Sequence, residues 1–257
     1  DQGSDCLYVS HLSGDDSPQC GSFAVPCRTL TQALLLVNDG GKICLNGKDS
    51  ESNPYECLKR DSPNGNEFKT IEKSVSIQGV SSPAHISCGL VFASRSKYGS
   101  VKVSLSNLVF NNSRYGLVFL NVPSYHVVIS KCKFINCSKA IFMLWEGSQG
   151  SSFTSKRSSL EVTDSEFRNN TFSIEFGPKF KNGSIKVSLS NLLFDNGTYG
   201  VALVNVSSFD VVIAKCKFFN FSKAAVGLFW NEIKSVIREK SSLVATDSKF
   251  RYNAKSL

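Results

Sequence analysis

The chain has 257 residues, 41% hydrophobic and 19% charged, which is enough apolar material for a buried core and too little charge for a disordered tail. Its apolar runs are short, such as Ala33 to Val37, whereas a membrane-spanning helix needs about 20 residues, so no segment spans a bilayer. The formal net charge of +8 leaves an acidic partner open until the lysines are placed, and nine cysteines are too dilute for a scaffold built on disulfides alone.

The first element in chain order is a cap, residues 1–70, that does not follow the pattern of the rest. It opens at Asp1 with no apolar leader, which predicts a processed product or an excised piece. The cap and the turn after it hold six cysteines: Cys6, Cys20, Cys27, Cys44, Cys57 and Cys88. Six allow 15 pairings. Cys20–Cys27 brackets a short Gly/Pro loop and is the favoured pair. A zinc site would want C-x-x-C pairs or nearby histidines, and the sequence has neither. Disulfides therefore win, which predicts an oxidising compartment and a secreted or extracellular protein. Cys27 to Val37 reads as a short amphipathic helix stopped by Gly40-Gly41, laid as a lid across the first turn.

A degenerate turn follows, with Val75 and Ile77 in its first strand and Ile86 to Phe92 in its later one. Then the sequence duplicates. SVKVSLSNLVFNNSRYG at Ser100 returns as SIKVSLSNLLFDNGTYG at Ser184, so that residues 100–170 recur as 184–253. Within each copy, Phe110, Phe134, Phe167, Phe194, Phe218 and Phe250 share one context at spacings of 24, 33, 27, 24 and 32 residues. Each interval is one turn of a solenoid. Aligned on the Phe, the turns form columns: Val103, Val127, Leu160, Val187, Val211 and Leu243; then Leu105, Ile129, Val162, Leu189, Ile213 and Ala245; then Leu108, Cys132, Ser165, Leu192, Cys216 and Ser248; and, seven residues past each Phe, Leu117, Ile141, Ile174, Val201 and Ala225. Period-2 alternation with frequent β-branched residues says strand. The predicted architecture is all-β: a right-handed parallel β-helix of about seven turns over residues 71–257, with an N-terminal disulfide-rich cap containing one short α-helix.

Cys132 and Cys216 share an inward column three turns apart, roughly 14 Å at the spacing of parallel strands, too far for a disulfide. They read as small buried fillers. Cys137 could reach a neighbour. Seven N-x-S/T sequons occur, at Asn111, Asn136, Asn169, Asn182, Asn196, Asn205 and Asn220. Of these, Asn136, Asn169, Asn196 and Asn220 fall two residues after the column Phe, where a stacked ladder of side-chain amides is the competing use. Asn111, Asn182 and Asn205 are then the better glycan candidates.

The FxxN forms Phe167-Arg-Asn-Asn170 and Phe250-Arg-Tyr-Asn253, with the V-x-I-x-x-C-x-F turns, resemble the parallel β-helix repeats of the pectate-lyase-like superfamily and the FxxN repeats of polymorphic outer-membrane adhesins. The opening, Cys20-Gly21 through Pro26-Cys27-Arg28-Thr29-Leu30 to Gly41-Lys42-Ile43-Cys44-Leu45, resembles the N-terminal caps of extracellular β-helix domains in large animal surface proteins. These resemblances imply a fold more than a function, because β-helices serve as lyases, hydrolases, adhesins and spacers.

The lyases of this superfamily, as the resemblance implies, use an Asp cluster that holds Ca²⁺, together with an Arg or Lys base. The related hydrolases need paired carboxylates. Here the outward columns run Asn107, Lys131, Asp164, Asn191, Lys215, Asp247 and Val109, Lys133, Glu166, Leu193, Lys217, Lys249, with no two acids on adjacent turns. Asp164, Glu166 and Asp210 instead each follow a lysine (Lys131, Lys133, Lys186), which predicts cross-turn charge pairing on a solvated sheet. Glu161 with Asp164 and Glu166 is the only carboxylate group to weigh as a catalytic or Ca²⁺ cluster. His11, His85 and His126 are scattered, no phosphate loop appears, and no cofactor is implied. Nucleic acid would require basic patches interleaved with aromatics, whereas the phenylalanines point inward.

Two long inserts, Trp145 to Ser159 and Trp230 to Ser242, emerge at equivalent places. Trp145, Phe153, Lys156, Arg157, Trp230, Ile233, Lys234, Ile237 and Arg238 are the candidate contact residues, since loops on rigid scaffolds carry recognition. The expected function is an extracellular non-catalytic module, structural or adhesive, that meets a protein or glycan partner on the cell surface or in the matrix. Self-association through an open C-terminal end is a further expectation. The alternative is a polysaccharide lyase or glycoside hydrolase acting on an acidic glycan.

Overall fold

The computed structural model describes residues 6–56, 70–94, 99–144, 158–177, 184–206, 208–229 and 241–254. The chain winds as a parallel β-helix with three strand segments per turn. The first segments form one nine-stranded sheet of β1 (Cys6–Val9), β2 (Gly41–Asn46), β3 (Val75–Val80), β6 (Ser100–Ser106), β9 (Ser124–Ser130), β12 (Ser158–Thr163), β14 (Ser184–Ser190), β16 (Ser208–Ala214) and β18 (Ser242–Thr246), in that spatial order. The second segments are β4 (Ala84–Ile86), β7 (Leu108–Asn111), β10 (Lys133–Ile135), the leading halves of β13 (Glu166–Phe176), β15 (Leu193–Val204) and β17 (Lys217–Phe229), and β19 (Lys249–Arg251). The third segments are β5 (Leu90–Ala93), β8 (Tyr115–Leu120), β11 (Lys139–Leu144) and the trailing halves of β13, β15 and β17.

The register follows the columns of the sequence. Val103 pairs with Val127, Val127 with Leu160, Leu160 with Val187, and so to Leu243. The Phe column is in register from Phe110 to Phe250. Its rings stack nearly parallel, with centroids 4.9, 5.0, 4.8, 4.4 and 4.9 Å apart. One column departs from prediction: Val201 pairs with Val226, not Ala225, because a register shift between Gly197 and Tyr199 puts one extra residue into β17. The duplication extends to space as well as sequence. Gly116 and Gly200 sit at equivalent places, and a Cβ on either would press on the ring of Phe134 or Phe218, at 2.8 and 3.0 Å.

The corners between segments are turned by residues in the left-handed region. Asn107, Lys131, Asp164, Asn191, Lys215 and Asp247 hold φ between 49° and 56°, and Asn112, Asn136, Asn169, Asn196, Asn220 and Tyr252 hold φ between 55° and 60°. Asn and Asp tolerate that region better than most L residues, which explains their columns. At the second corner the amides also ladder: Nδ2 of Asn136, Asn169 and Asn196 donates to Oδ1 of Asn112, Asn136 and Asn169 at 2.9, 3.1 and 3.0 Å. Asn220 breaks the series by donating to Asp195. The FxxN asparagines bind turn to turn on the inside. Asn170 accepts from the Cys137 N–H and donates to the Phe134 carbonyl, and Asn253 does the same to Phe221 and Phe218.

The parallel sheet reaches back into the expected cap. β1 and β2 are rungs of the first sheet, Tyr55 bridges to Ile86 at the foot of the Phe column, and Ile71 bridges to Phe92. Tyr55 is fully buried and its hydroxyl, with one proton to donate, lies 3.1 and 3.0 Å from the carbonyl oxygens of Val9 and Asn46. The predicted helix is α1 (Leu30–Leu36), shorter at its start than expected because Thr29 is its N-cap, accepting from the Gln32 N–H. It buries Leu30, Ala33 and Leu34. Lys73 donates to the carbonyls of Leu34 and Val37 at 3.1 and 2.8 Å, satisfying orphan acceptors at the helix C-terminus with a cation. A four-residue helix, α2 (Gly47–Ser50), follows β2.

Two disulfides hold this end: Cys6–Cys44, which links neighbouring rungs β1 and β2, and the predicted Cys20–Cys27. Cys88 is also disulfide-bonded; Cys57 lies outside the described residues. Cys132, Cys137 and Cys216 are buried free thiols.

Candidate functional site

The outer faces of the three sheets are where chemistry could meet a partner. On the first sheet the outward positions are mostly Ser, Thr and Val, with Lys102, His126, Lys186, Asp210 and Glu161 among them. Lys186 and Asp210 are register neighbours, but the Asp210 carboxylate accepts from the Ser242 hydroxyl, and no ion pair joins it to Lys186 among the described residues. Asp164 likewise accepts from Asn191 Nδ2 at 2.6 Å and not from Lys131. Of the three expected charge pairs, only Lys133–Glu166 forms, at 3.8 Å, and Arg168 shares the same carboxylate at 3.2 Å. Adjacency in a column did not decide pairing, because the corner residues Lys131 and Asp164 sit in the left-handed bend, where a nearby amide or hydroxyl competes for the carboxylate.

Glu161, Asp164 and Glu166 do not converge. Glu161 points out from β12, Asp164 sits at the following corner, and Glu166 is held by its two cations. Among the described residues no group of three or more His, Cys, Asp and Glu could hold a metal ion.

The third sheet carries a surface that sequence reasoning missed. Val91, Val118 and Phe142 face outward in one register column, yet are buried, with Tyr115, Leu120 and Leu144 packed about them. The same column continues into Glu175, only 7% exposed. Lys139 Nζ pairs with Glu175 Oε2 at 2.8 Å and lies 3.8 Å from the centroid of the Phe142 ring, so the cation is held by both a carboxylate and a π-face. The readable signal was the near-continuous apolar run of YGLVFL and KAIFML, which marks a strand covered on both faces.

The three free thiols are not nucleophile candidates. Burial pushes Cys132 up to about 12, against weaker opposing hydrogen bonds, and raises Cys137 and Cys216 in the same way; a thiol kept protonated is inert. Ser165 and Ser248, in the same column as Cys132 and Cys216, accept from the Cys132 and Cys216 N–H groups and donate to Thr163 and Thr246 carbonyls. They are structural ties.

Among the sequons, Asn111 is exposed at the end of β7, Asn205 turns a corner at φ 54° with its N–H donating to the Phe229 carbonyl, Asn136, Asn169 and Asn196 are in the ladder described above, and Asn220 donates to Asp195. Asn182 lies outside the described residues. So do all nine contact-loop candidates, Trp145, Phe153, Lys156, Arg157, Trp230, Ile233, Lys234, Ile237 and Arg238. No helix among the described residues is long and apolar enough to cross a membrane.

Comparison with curated proteins finds no match. A solved structure named rhamnogalacturonan lyase is similar with a TM-score of 0.29 and 14% identity; the match covers 98% of this chain and 62% of that one. A likeness that low carries no argument about chemistry. The sequence family described as "Right handed beta helix region" matches residues 91–255, the stretch in which the Phe stack, the corner asparagines and the three segments per turn all repeat, and the chain belongs to that family.

Proposed function

We propose that the chain is a non-catalytic β-helix module of an extracellular protein, a rigid structural or recognition element that presents its faces and loops to a protein or glycan partner. The observation that carries this reading is the fate of five carboxylates of the solenoid, with Glu161 standing apart on the outer face of β12. Glu166 is taken by Lys133 and Arg168, Glu175 by Lys139, Asp164 by Asn191, Asp195 by Asn220 and Asp210 by Ser242. Lyase and hydrolase chemistry needs carboxylates converging on one bond or one ion; these are spent one by one on local contacts along the spiral. The disulfides Cys6–Cys44 and Cys20–Cys27 support an oxidising setting.

The test is a turnover assay with acidic and neutral polysaccharides, following unsaturated uronate absorbance and new reducing ends. No product is expected. Cleavage that disappears in Asp164→Ala or Glu166→Gln would establish the lyase or hydrolase reading instead. Mass mapping under non-reducing conditions addresses the compartment: free thiols at Cys6, Cys20, Cys27 and Cys44 in freshly isolated protein would overturn the extracellular assignment.

A further inference from the structure

The sequons share a motif but not an environment. Asn136, Asn169 and Asn196 are committed to the amide ladder, each Nδ2 donating to the Oδ1 of the corner asparagine one rung before. Asn220 donates to Asp195 at 3.1 Å, and Asn205 is only partly exposed at its left-handed corner. Asn111 is different. It is exposed at the end of β7, and its side chain makes no hydrogen bond among the described residues.

The duplication shows how this amide is left over. Asn111 and Asn112 in the first copy match Asp195 and Asn196 in the second. In the second copy the amide of the next rung, Asn220, reaches the outward residue Asp195. In the first copy the amide of the next rung, Asn136, reaches the corner residue Asn112 instead. Asn111 is passed over. Its register neighbour on that rung is the partly buried Ile135, whose side chain has no polar atom to offer.

From these observations we propose that Asn111 carries an N-linked oligosaccharide and that the ladder asparagines Asn136, Asn169 and Asn196 do not. In the transfer step Nδ2 of Asn111 bonds to the anomeric carbon of a sugar held on a lipid diphosphate. The bond from that carbon to the diphosphate oxygen breaks, the lipid diphosphate leaves with the electron pair, and the amide gives up one proton. The sequon hydroxyl, on Ser113, is buried in the folded chain and donates to the Tyr115 carbonyl at 2.7 Å, so transfer precedes the closure of this turn. Folding then decides which modified chains keep their native contacts. A glycan on Asn111 runs from an outward strand position into solvent, where a bulky, solubilising group is tolerated. A glycan on a ladder asparagine replaces one of the two hydrogens of an amide already bonded to its neighbours. It stands beside amides about 4.8 Å above and below, and it crowds the stack that turns the corner. The inference rests on the extracellular reading, because the lipid-linked donor is met on the secretory route.

The experiment directs the 257-residue chain into the secretory pathway of a eukaryotic host and recovers it from cells and medium together. Release of N-glycans by an amidase in heavy-oxygen water converts each glycan-bearing Asn into a labelled Asp, and peptide mass mapping then reads each sequon. Label is expected at Asn111 and none at Asn136, Asn169 or Asn196. Asn111→Gln should lose one glycan, seen as a single step in gel mobility, whereas Asn169→Gln should leave the mobility unchanged. The map of the unaltered chain decides the matter even if a variant folds poorly. An unlabelled Asn111 in protein whose Cys6–Cys44 and Cys20–Cys27 bonds have formed overturns this proposal and leaves the extracellular reading standing. Label at any ladder asparagine overturns it too. An unlabelled Asn111 together with free thiols at those four cysteines overturns both.

Discussion

Phe167→Ala tests the stacked core most directly. The ring is fully buried, and those of Phe134 and Phe194 lie 5.0 and 4.8 Å away at interplanar angles of 7° and 9°. Truncation removes the transfer free energy of the ring, leaves a cavity in a stack whose rungs are fixed by backbone pairing, and ends two ring contacts; the expected loss is about 3–5 kcal/mol. Phe250→Ala is the internal control. Among the described residues its ring stacks on Phe218 alone, at 4.9 Å, and it is partly exposed, so roughly 1–2 kcal/mol is expected. At about 2–4 °C per kcal/mol for a chain of this size, the two variants should melt roughly 2–16 °C apart, Phe167→Ala the lower. Urea unfolding followed by far-UV circular dichroism supplies the midpoint and the slope together. The slope matters because stability in a solenoid is a sum of neighbouring-turn terms: a shallower transition in Phe167→Ala would mean that the two halves had begun to unfold separately. If Phe250→Ala costs as much as Phe167→Ala, the stack is not what stabilises the turns and the reasoning fails.

The Asn ladder separates two contributions at one residue. Asn169→Ala forfeits hydrogen bonds to Asn136 and Asn196 and forces a Cβ residue without a local hydrogen-bonding group into φ 56°, at a cost of about 2–4 kcal/mol, whereas Asn169→Gly relieves the backbone part and should be the more stable of the two in chemical denaturation. Lys139→Met strands the Glu175 carboxylate in a nearly buried site and should cost up to about 3–5 kcal/mol, while Lys139→Met with Glu175→Met recovers most of it; a double variant no better than the single would show that the pair is not coupled. Cys132, Cys137 and Cys216 should resist iodoacetamide in the native protein and react only on unfolding, and rapid native labelling of any of them would contradict their burial. Desolvation by burial lowers the His11 pKa, against the opposing pull of a hydrogen bond with the Pro54 backbone and of Asp49, Glu56 and Asp16, and the ring stacks on Tyr55 at 4.1 Å. Its folded-state pKa lies below the unfolded value, so its contribution to stability is present above about pH 6.5 and is lost as pH falls through the lowered value; His11→Gln should flatten that acid-side decline in melting temperature.

The sequence revealed those parts of the fold that repeat. A side chain that points inward on every turn must be apolar or, like Ser165 and Asn170, have its polar atoms bonded to neighbouring backbone, so the apolar Phe column and the two columns of the first strand align from the sequence, and their observed pairings match residue for residue. Offsets counted from the Phe held only while the spacing held. One extra residue in β17 shifted Ala225 out of register and Val226 into it, and nothing in the local composition marks the bulge. The N-terminal rungs were hidden for a related reason. β1 and β2 carry the alternation in Leu7, Val9, Ile43 and Leu45, but the loops between them have no common length, and the foot of the Phe column is a tyrosine whose hydroxyl reaches backbone carbonyls instead of a phenylalanine. Charge was the least legible feature. A column says which side chains are neighbours, not which of several donors a carboxylate will take, and Asp164 and Asp210 took an amide and a hydroxyl while lysines stood in the same column. The pair that is nearly buried, Lys139 with Glu175, joins different columns across two turns and an aromatic ring, an arrangement that exists only once the third sheet has folded.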